Sequence, residues 1–415
     1  MKIEVGFGKG TQCAEVQNVM GILAPNQVEF SGRSEIEEVR WALAHPIASP
    51  RLRDIVRPGE KLAIVTSDLT RPMPTYRVMP ALMEELDAAG VRDEDVTIVL
   101  AVGSHRAQTD EEKKHLVGEE AFARYTVVDS NPDDCVHLGD TSRGTPVDMT
   151  KAVAQADRRI CLGNVEYHYF AGYSGGGKAL MPGVSTRMAI QCNHSHMVEE
   201  GAYAGKLEGN PIREDIEEAA AIVGIDFILN VVLDEHKKII KAVAGDKVAA
   251  HREGCKMVDA LYLKKLERRA DIVIVSQGGA PKDLNLYQTQ KALDNAKHAV
   301  RDGGIVILVG SCKEGWGEGT FGEWLTDGAT PDELVERIRK NFKLGGHKAA
   351  AIALVKQKAD IWLVSEMDPA MVNQTTCLTP FASLQEAYDQ AIARLGKDAV
   401  TLVMPYGGST LPRAE

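Results

Sequence analysis

Leu62–Val102, LAIVTSDLTRPMPTYRVMPALMEELDAAGVRDEDVTIVLAV, reads as strand, helix and strand in succession. Its first five residues, LAIVT, are a short apolar run of the kind that forms a buried strand. A helical pattern follows from about Tyr76 to Ala89, closed by Gly90, and the apolar run Val96–Val102 then repeats the strand signature. Outward from this unit the alternation continues. Thr109 opens a helix, with Glu112 three residues on completing a capping box. Tyr125–Val128 and Arg159–Leu162 are further strands, and Phe227–Leu233 with Lys238–Val243 form a hairpin bridged by Asp234-Glu235-His236. The charged stretch Leu261–Ala270 (LYLKKLERRA) ends a helical run and marks a domain junction. Beyond it lie strands at Ile272–Val275, Ile305–Val309, Ile361–Val364 and Ala399–Val403, with helices between. The pattern predicts an α/β protein: two α/β domains with mostly parallel sheets, the active site in the cleft between them. Residues 1–265 are expected to form the N-terminal domain and 270–397 the C-terminal one. The segment 398–415 is expected to pack back on the N-terminal domain.

A chain of 415 residues suffices for two domains, each with a substantial core. The net charge of -11 argues against a nucleic-acid surface, which needs a basic patch. No apolar run approaches the roughly 20 residues of a membrane span. The start, MKIEVGFGKG, alternates like a strand and lacks the apolar core of a signal peptide. The 7 cysteines are scattered without CxxC pairing, as expected of free thiols in a reducing cytosol. A soluble, cytoplasmic protein with neither nucleic-acid nor membrane partners is expected.

In open α/β sheets ligands bind beyond the carboxyl ends of the strands, so the loops after Thr66, Val102, Leu162 and Val275 carry the interest. In Ser67-Asp68-Leu69-Thr70-Arg71-Pro72, Asp68 and Thr70 can bind following amides and Pro72 suits a first helical turn. Arg71 offers a planar fork for carboxylate or phosphate, though a capped turn with a surface arginine fits the same residues. Gly103-Ser104-His105-Arg106 puts a histidine directly beyond a strand, placed for proton transfer. Alone, that loop is better read as a helix cap with an incidental histidine.

The third loop lies within Cys161–His196, CLGNVEYHYFAGYSGGGKALMPGVSTRMAIQCNHSH. Gly172, Gly175, Gly176 and Gly177 let backbone approach a bulky or charged ligand, and Lys178 delivers an amine to it. Gly172–Lys178 fits GxxxxGK, but Ala179 stands where Ser or Thr would hold magnesium. A phosphate-bearing group thus stays in play, and a nucleoside-triphosphate loop is disfavoured. His194 and His196 are spaced i, i+2, which on a strand or extended loop puts both rings on one side. One ligating histidine with a cofactor supplying the other donors is the economical metal site; two solvated histidines are the plain alternative. In the fourth loop, SQGGAPKDLNLYQTQKAL, Gly278 and Gly279 allow close approach, and Tyr287 and Lys291 share one helix face beside Gln288. An ordinary amphipathic helix start fits there too.

Together these residues resemble the lactate racemase family, whose members carry a nickel-pincer nucleotide. The resemblance covers most of the chain. It rests on DLTRP at Asp68–Pro72, GSHR at Gly103–Arg106, EYHYFAGYSGGGK at Glu166–Lys178, His194 sixteen positions beyond that lysine, and YQTQK at Tyr287–Lys291. It implies a cofactor, pyridinium-3,5-bisthiocarboxylic acid mononucleotide nickel, covalently attached to Lys178 as a thioamide, with His194 as the protein's nickel ligand. It implies His105 and His168 as paired acid and base. Arg71, Tyr287, Gln288 and Lys291 would bind substrate, while Asp68, Thr70, Gly175, Gly176 and Gly177 would join Lys178 in holding the cofactor.

The implied activity is racemisation or epimerisation of a 2-hydroxy acid, with separate biosynthesis proteins supplying the cofactor. The α C–H of such an acid is a poor acid. A histidine that takes the hydroxyl proton while the cofactor accepts hydride avoids a carbanion. Soft sulfur donors with imidazole in a planar array suit nickel. One departure concerns substrate. Lactate-specific members carry a tryptophan-bearing DQW-like segment where this chain has Gly345-Gly346-His347-Lys348-Ala349, so a larger or more polar acid than lactate, such as malate, an aryl-lactate or a sugar acid, becomes credible. His347 is either a further site residue or a solvated helix-start histidine, and His196 has no role assigned. The competing readings are a phosphotransferase built on GxxxxGK and a non-enzymatic nickel or cofactor carrier.

Overall fold

The computed structural model describes residues 1–103, 105–234 and 236–414. Ser104 of the GSHR motif and Glu235 of the hairpin turn therefore lie outside the described residues. Chain contacts divide the molecule into two compact units, Val28–Ala260 and Met1–Gln27 with Leu261–Glu415.

The unit Val28–Ala260 is built on a six-stranded sheet ordered Ile239–Gly245, Phe227–Leu233, Arg158–Asn164, Leu62–Ser67, Val96–Ala101, Thr126–Asp129. Only the Phe227–Leu233 and Ile239–Gly245 pair is antiparallel, and it is the expected hairpin. Leu62, Ala63, Ile64 and Val65 are at most 2% exposed, so the strand is covered on both faces and has no place for polar alternation. The helix Thr75–Ala88 buries Val78, Met79, Leu82 and Leu86 into the core that covers this sheet. Thr109 and Glu112 cap the helix Asp110–Val117 reciprocally, at 3.2 and 2.8 Å.

Strand order fixes where a ligand can sit. From Leu62–Ser67 the chain steps to Val96–Ala101 and Thr126–Asp129 on one side, then returns to Arg158–Asn164 on the other. The order reverses between Leu62–Ser67 and Arg158–Asn164, and a crevice opens beyond the carboxyl ends of strands at such a switch point. The loops that follow these two strands carry Asp68–Arg71 and Glu166–Lys178.

The second unit holds a parallel six-stranded sheet ordered Leu378–Phe381, Asp360–Val364, Val300–Val309, Ala270–Ser276, Thr401–Met404, Val19–Ile22. Here the domain division differs from the sequence expectation. Met1–Gln27 belongs with the C-terminal unit, because Val19–Ile22 pairs with Thr401–Met404 and the hairpin Lys2–Phe7/Gly10–Glu15 contributes Ile3, Val5 and Ala14 to that unit's core. The segment from 398 onward falls in this same unit. Thr401–Met404 lies between two strands of the C-terminal sheet, and Leu411–Ala414 pairs with Leu263–Leu266 of the same unit. No helix among the described residues is long and apolar enough to cross a membrane.

An interior strand must carry interior energetics. Leu402 is fully buried, and Leu402→Ala is expected to lower unfolding stability by about 2–5 kcal/mol. Urea unfolding checks this, and a change near zero would mean that the C-terminal segment is peripheral.

Candidate active site

Asp68 directly follows the strand Leu62–Ser67 and is 1% exposed. Its Oδ2 lies 2.6 Å from His105 Nδ1, and its Oδ1 accepts from the Thr70 hydroxyl at 2.8 Å and the Thr70 amide at 3.2 Å. Burial pushes the carboxyl up, but the hydrogen bonds from His105 and Thr70 outweigh it and the net shift is downward. Two sequence-distant loops are thus joined by one buried carboxylate. Arg71 is exposed beside them, its amide bonded to the Asp68 carbonyl at 3.2 Å. Pro72 does not enter the helix as expected: the helix begins at Thr75 with Pro74 at its N-cap.

The loop after Arg158–Asn164 forms a two-residue antiparallel hairpin, Tyr167–His168 against Gly172–Tyr173. At its tip, His168 Nδ1 accepts from the Ala171 amide at 3.2 Å. The chain then turns through a 3-10 segment, Gly176–Ala179, which carries Lys178. Phe170 gathers three of these side chains. Its ring centroid is 4.5 Å from that of His168, 4.9 Å from that of His194, and 5.7 Å from the Lys178 ammonium nitrogen. Burial, then the charges of Lys178, His194, Arg71 and Arg213, hold the His168 imidazole well below its ordinary value. Burial, then Arg213 and Arg71, hold the Lys178 amine well below the usual lysine range, with Glu166 pulling the other way. Both groups are therefore biased toward their neutral forms.

Two expectations for this segment are corrected. His194 lies in the α-helix Arg187–Ser195, capped by Thr186, and His196 follows as its C-cap. On a helix, i, i+2 neighbours diverge around the axis, so the two rings do not share a side. His196 Nδ1 instead pairs with Glu199. The loop Gly172–Lys178 also lacks the strand–loop–α-helix setting of a triphosphate cradle, since it runs from a two-residue strand into a 3-10 turn and the Gly176 amide is taken by Asn230 Oδ1 at 2.8 Å. The glycines also do more than make room. A Cβ on Gly172 would meet the Lys206 carbonyl oxygen at 2.0 Å, and one on Gly177 would meet Ala220 Cβ at 3.0 Å.

Residues that sequence reasoning missed frame this site. Asn210, N-cap of the helix Pro211–Val223, donates to the Phe170 carbonyl at 2.8 Å. The buried Arg213 guanidinium donates to the carbonyls of Ala171, at 3.2 Å, and Tyr173. Tyr167 and Tyr173 both place their hydroxyls 2.6 Å from Asp259 Oδ1. Asn193 bridges His194 and Asp215. Only Asn210, an Asn before a helix-opening Pro, carries a local signal.

In the other unit, Tyr287, Gln288 and Lys291 lie on the helix Leu286–Ala296, with Tyr287 and Lys291 one turn apart as expected. His347 is not a solvated histidine. It is 6% exposed, packs against Phe342 and Tyr287, and burial followed by the Lys348 charge pushes it down to about 3. Lys348 is buried as well, its ammonium 3.9 Å above the Tyr287 ring and bonded to the Tyr287 carbonyl. Gly278 and Gly279 approach other chain segments: a Cβ on Gly279 would meet the Gly8 carbonyl oxygen at 2.8 Å.

Residues 7–205 match the lactate racemase N-terminal domain and residues 266–411 the lactate racemase C-terminal domain. The chain is 31% identical over 423 residues to a lactate racemase of Thermoanaerobacterium thermosaccharolyticum, covering 99% of each, and 32% identical over 419 residues to one of Lactiplantibacillus plantarum, covering 98% of each. Its fold is similar to that of the T. thermosaccharolyticum lactate racemase apoprotein, with a TM-score of 0.89 and 31% identity over the full length of both chains. A Thermotoga maritima protein of 18% identity shares the fold at a TM-score of 0.65, over 94% of this chain and 100% of that one. The chain belongs to the lactate racemase family and is an isomerase of the racemase kind.

Proposed function

We propose that the protein racemises or epimerises a 2-hydroxy acid by reversible hydride transfer, using a nickel-pincer nucleotide tethered to Lys178. The observation that carries the reading is the convergence of Lys178, His168 and His194 on Phe170. The donor set suits the group: an amine biased toward its neutral, nucleophilic form is available for a covalent tether, and an imidazole lies against the same ring. When bound, the cofactor supplies a reversible hydride acceptor for the substrate's α carbon.

The remaining work falls to side chains. His105, held by Asp68, and His168, on its hairpin, take and return the hydroxyl proton. Arg71 clamps the substrate carboxylate, and Tyr287, Gln288 and Lys291 bind its other polar groups. Thr70 and Asp68 brace the cofactor side of the site, while Gly175, Gly176 and Gly177 set the loop path that delivers Lys178. The buried Lys348 ammonium against Tyr287 favours an acid with more polar character than lactate. Cofactor-biosynthesis proteins would act on the chain in the cytoplasm before it works.

Co-expression with a cofactor-biosynthesis pathway, followed by intact mass and metal analysis, should show a Lys178 adduct and bound nickel. An unmodified Lys178 with no nickel would sink the reading. Racemisation assays over lactate, malate, an aryl-lactate and a sugar acid should then identify the substrate. His105→Ala and His168→Ala are each expected to lower turnover by about 10²–10⁴-fold; full turnover in both would remove them as the acid and base.

The neutral bias of Lys178 also has a pH signature. A lysine whose folded value is lowered binds its proton more weakly when folded, so the chain without cofactor gains stability as pH rises from that value toward lysine's ordinary ~10.4. Lys178→Met is therefore expected to stabilise that chain near neutral pH, the gain shrinking as the pH approaches lysine's ordinary value. Thermal melts across that range test it, and a loss of stability at neutral pH would contradict the assignment.

A further inference from the structure

We propose that Asp215, acting through Asn193, is the positioning device that fixes His194 with its proton on Nδ1, which makes Nε2 the atom that would ligate nickel. The inference rests on the reading of His194 as the nickel ligand.

Asn193 is fully buried, and its Nδ2 lies 2.7 Å from Asp215 Oδ2 and 3.3 Å from the Ile212 carbonyl oxygen. A carboxylate oxygen and a carbonyl offer no proton, so the amide nitrogen must face them. The flipped amide would set its oxygen against two acceptors in a buried site, where an unsatisfied group costs about 1–3 kcal/mol. With the nitrogen so placed, Asn193 Oδ1 faces His194 Nδ1 at 2.9 Å. An amide oxygen only accepts, so Nδ1 must donate, and a neutral imidazole protonated there carries its lone pair on Nε2.

The far end of the chain of bonds is equally directed. Asp215, fully buried on the helix Pro211–Val223, accepts from the Thr141 hydroxyl on Oδ1 and from the Thr145 hydroxyl at 2.8 Å on Oδ2. The Thr145 amide donates to Thr141 Oγ1 at 3.1 Å, so that hydroxyl has its own acceptor role filled and directs its proton to Asp215. From the Thr141 hydroxyl to His194 Nδ1, each of these hydrogen bonds has its donor and acceptor assigned. Partners that hold a ligating histidine in this way set its orientation and tautomer, and losing one typically costs about 10–100-fold in metal affinity.

Nitrogen-15 NMR of the ¹⁵N-histidine-labelled full chain, expressed without the cofactor pathway, reads the tautomer directly. His194 is assigned by difference with His194→Gln, at alkaline pH where imidazoles are neutral. The wild type should show Nδ1 protonated and Nε2 bare, and Asn193→Leu should populate the other tautomer. After co-expression with the cofactor pathway, Asn193→Leu should keep the Lys178 adduct mass while nickel affinity falls about 10–100-fold. The wild-type spectrum decides even if Asn193→Leu does not fold: a proton on Nε2 overturns the proposal. The two failures read differently. A wild type with no Lys178 adduct removes the cofactor, whereas a loaded Asn193→Leu with wild-type nickel content removes only the positioning role.

Discussion

The buried opening of the helix Pro211–Val223 is the constraint on which the site depends. Asn210 holds Phe170, Arg213 holds the carbonyls of Ala171 and Tyr173, Asp215 holds Asn193 beside His194, and Ala220 abuts Gly177 next to Lys178. One rigid element thus fixes the hairpin of His168, the turn of Lys178 and the helix of His194. It also adds to the neutral bias of His168 and Lys178. Burial pushes Arg213 down only to about 10, so it remains a cation at neutral pH. A buried positive charge is tolerated where carbonyl oxygens accept its protons, and it then acts through a medium that screens poorly. Burial is the main cause of the neutral bias of His168 and Lys178, and Arg213 adds to it, as the leading charge at Lys178 and the weakest of four at His168.

Glycine has a related meaning in both units. Gly175 faces Asn230 Oδ1 at 2.7 Å from where its Cβ would stand, and Gly176 faces the His251 ring at 3.0 Å. Each also has positive φ, 77° and 58°, which a side chain would strain. In the other unit, a Cβ on Gly6 would lie 2.4 Å from the Gly278 carbonyl carbon. Glycine-rich loops invite a ligand reading because they lack side chains, yet here the missing Cβ atoms face other parts of the chain. Close packing stiffens the turn, and a stiff turn is what a covalent tether requires.

What could be read from sequence divides along locality. The strands were legible because runs such as LAIVT need no partner to announce burial, and the capping box at Thr109 is complete within four residues. Loops at strand ends drew attention to Asp68, His105 and Lys178 for the same reason. Sheet membership is a long-range property, so nothing local in MKIEVGFGKG reveals that the N-terminal segment joins a core with Ile272 and Val403. The helix ending in Cys192-Asn193-His194-Ser195 is short and buries only Ala189, Ile190 and Asn193, which concealed both it and the link from Asn193 to a carboxylate 22 positions on. Tertiary contacts, not periodicity, stabilise that helix.

The two acid–base histidines of the proposed reaction are not equivalent, and their hydrogen bonds say how. His105 Nδ1 faces a carboxylate, so it carries the proton and Nε2 presents a lone pair: a base whose cation Asp68 would stabilise. His168 Nδ1 accepts from the Ala171 amide, so its neutral ring carries the proton on Nε2: a hydrogen-bond donor that becomes a base only by surrendering that bond. In the proposed reaction one enantiomer would meet a ready base and the other a donor that must first change state. Yet the enantiomers of an acid with one stereocentre have equal free energy, so kcat/KM must be identical in the two directions. The asymmetry can surface only in kcat and KM separately, the enantiomer with the higher turnover also having the higher KM by the same factor. Steady-state kinetics of the loaded enzyme on each pure enantiomer would reveal it, and equal kcat values would mean that bound cofactor equalises the two histidines.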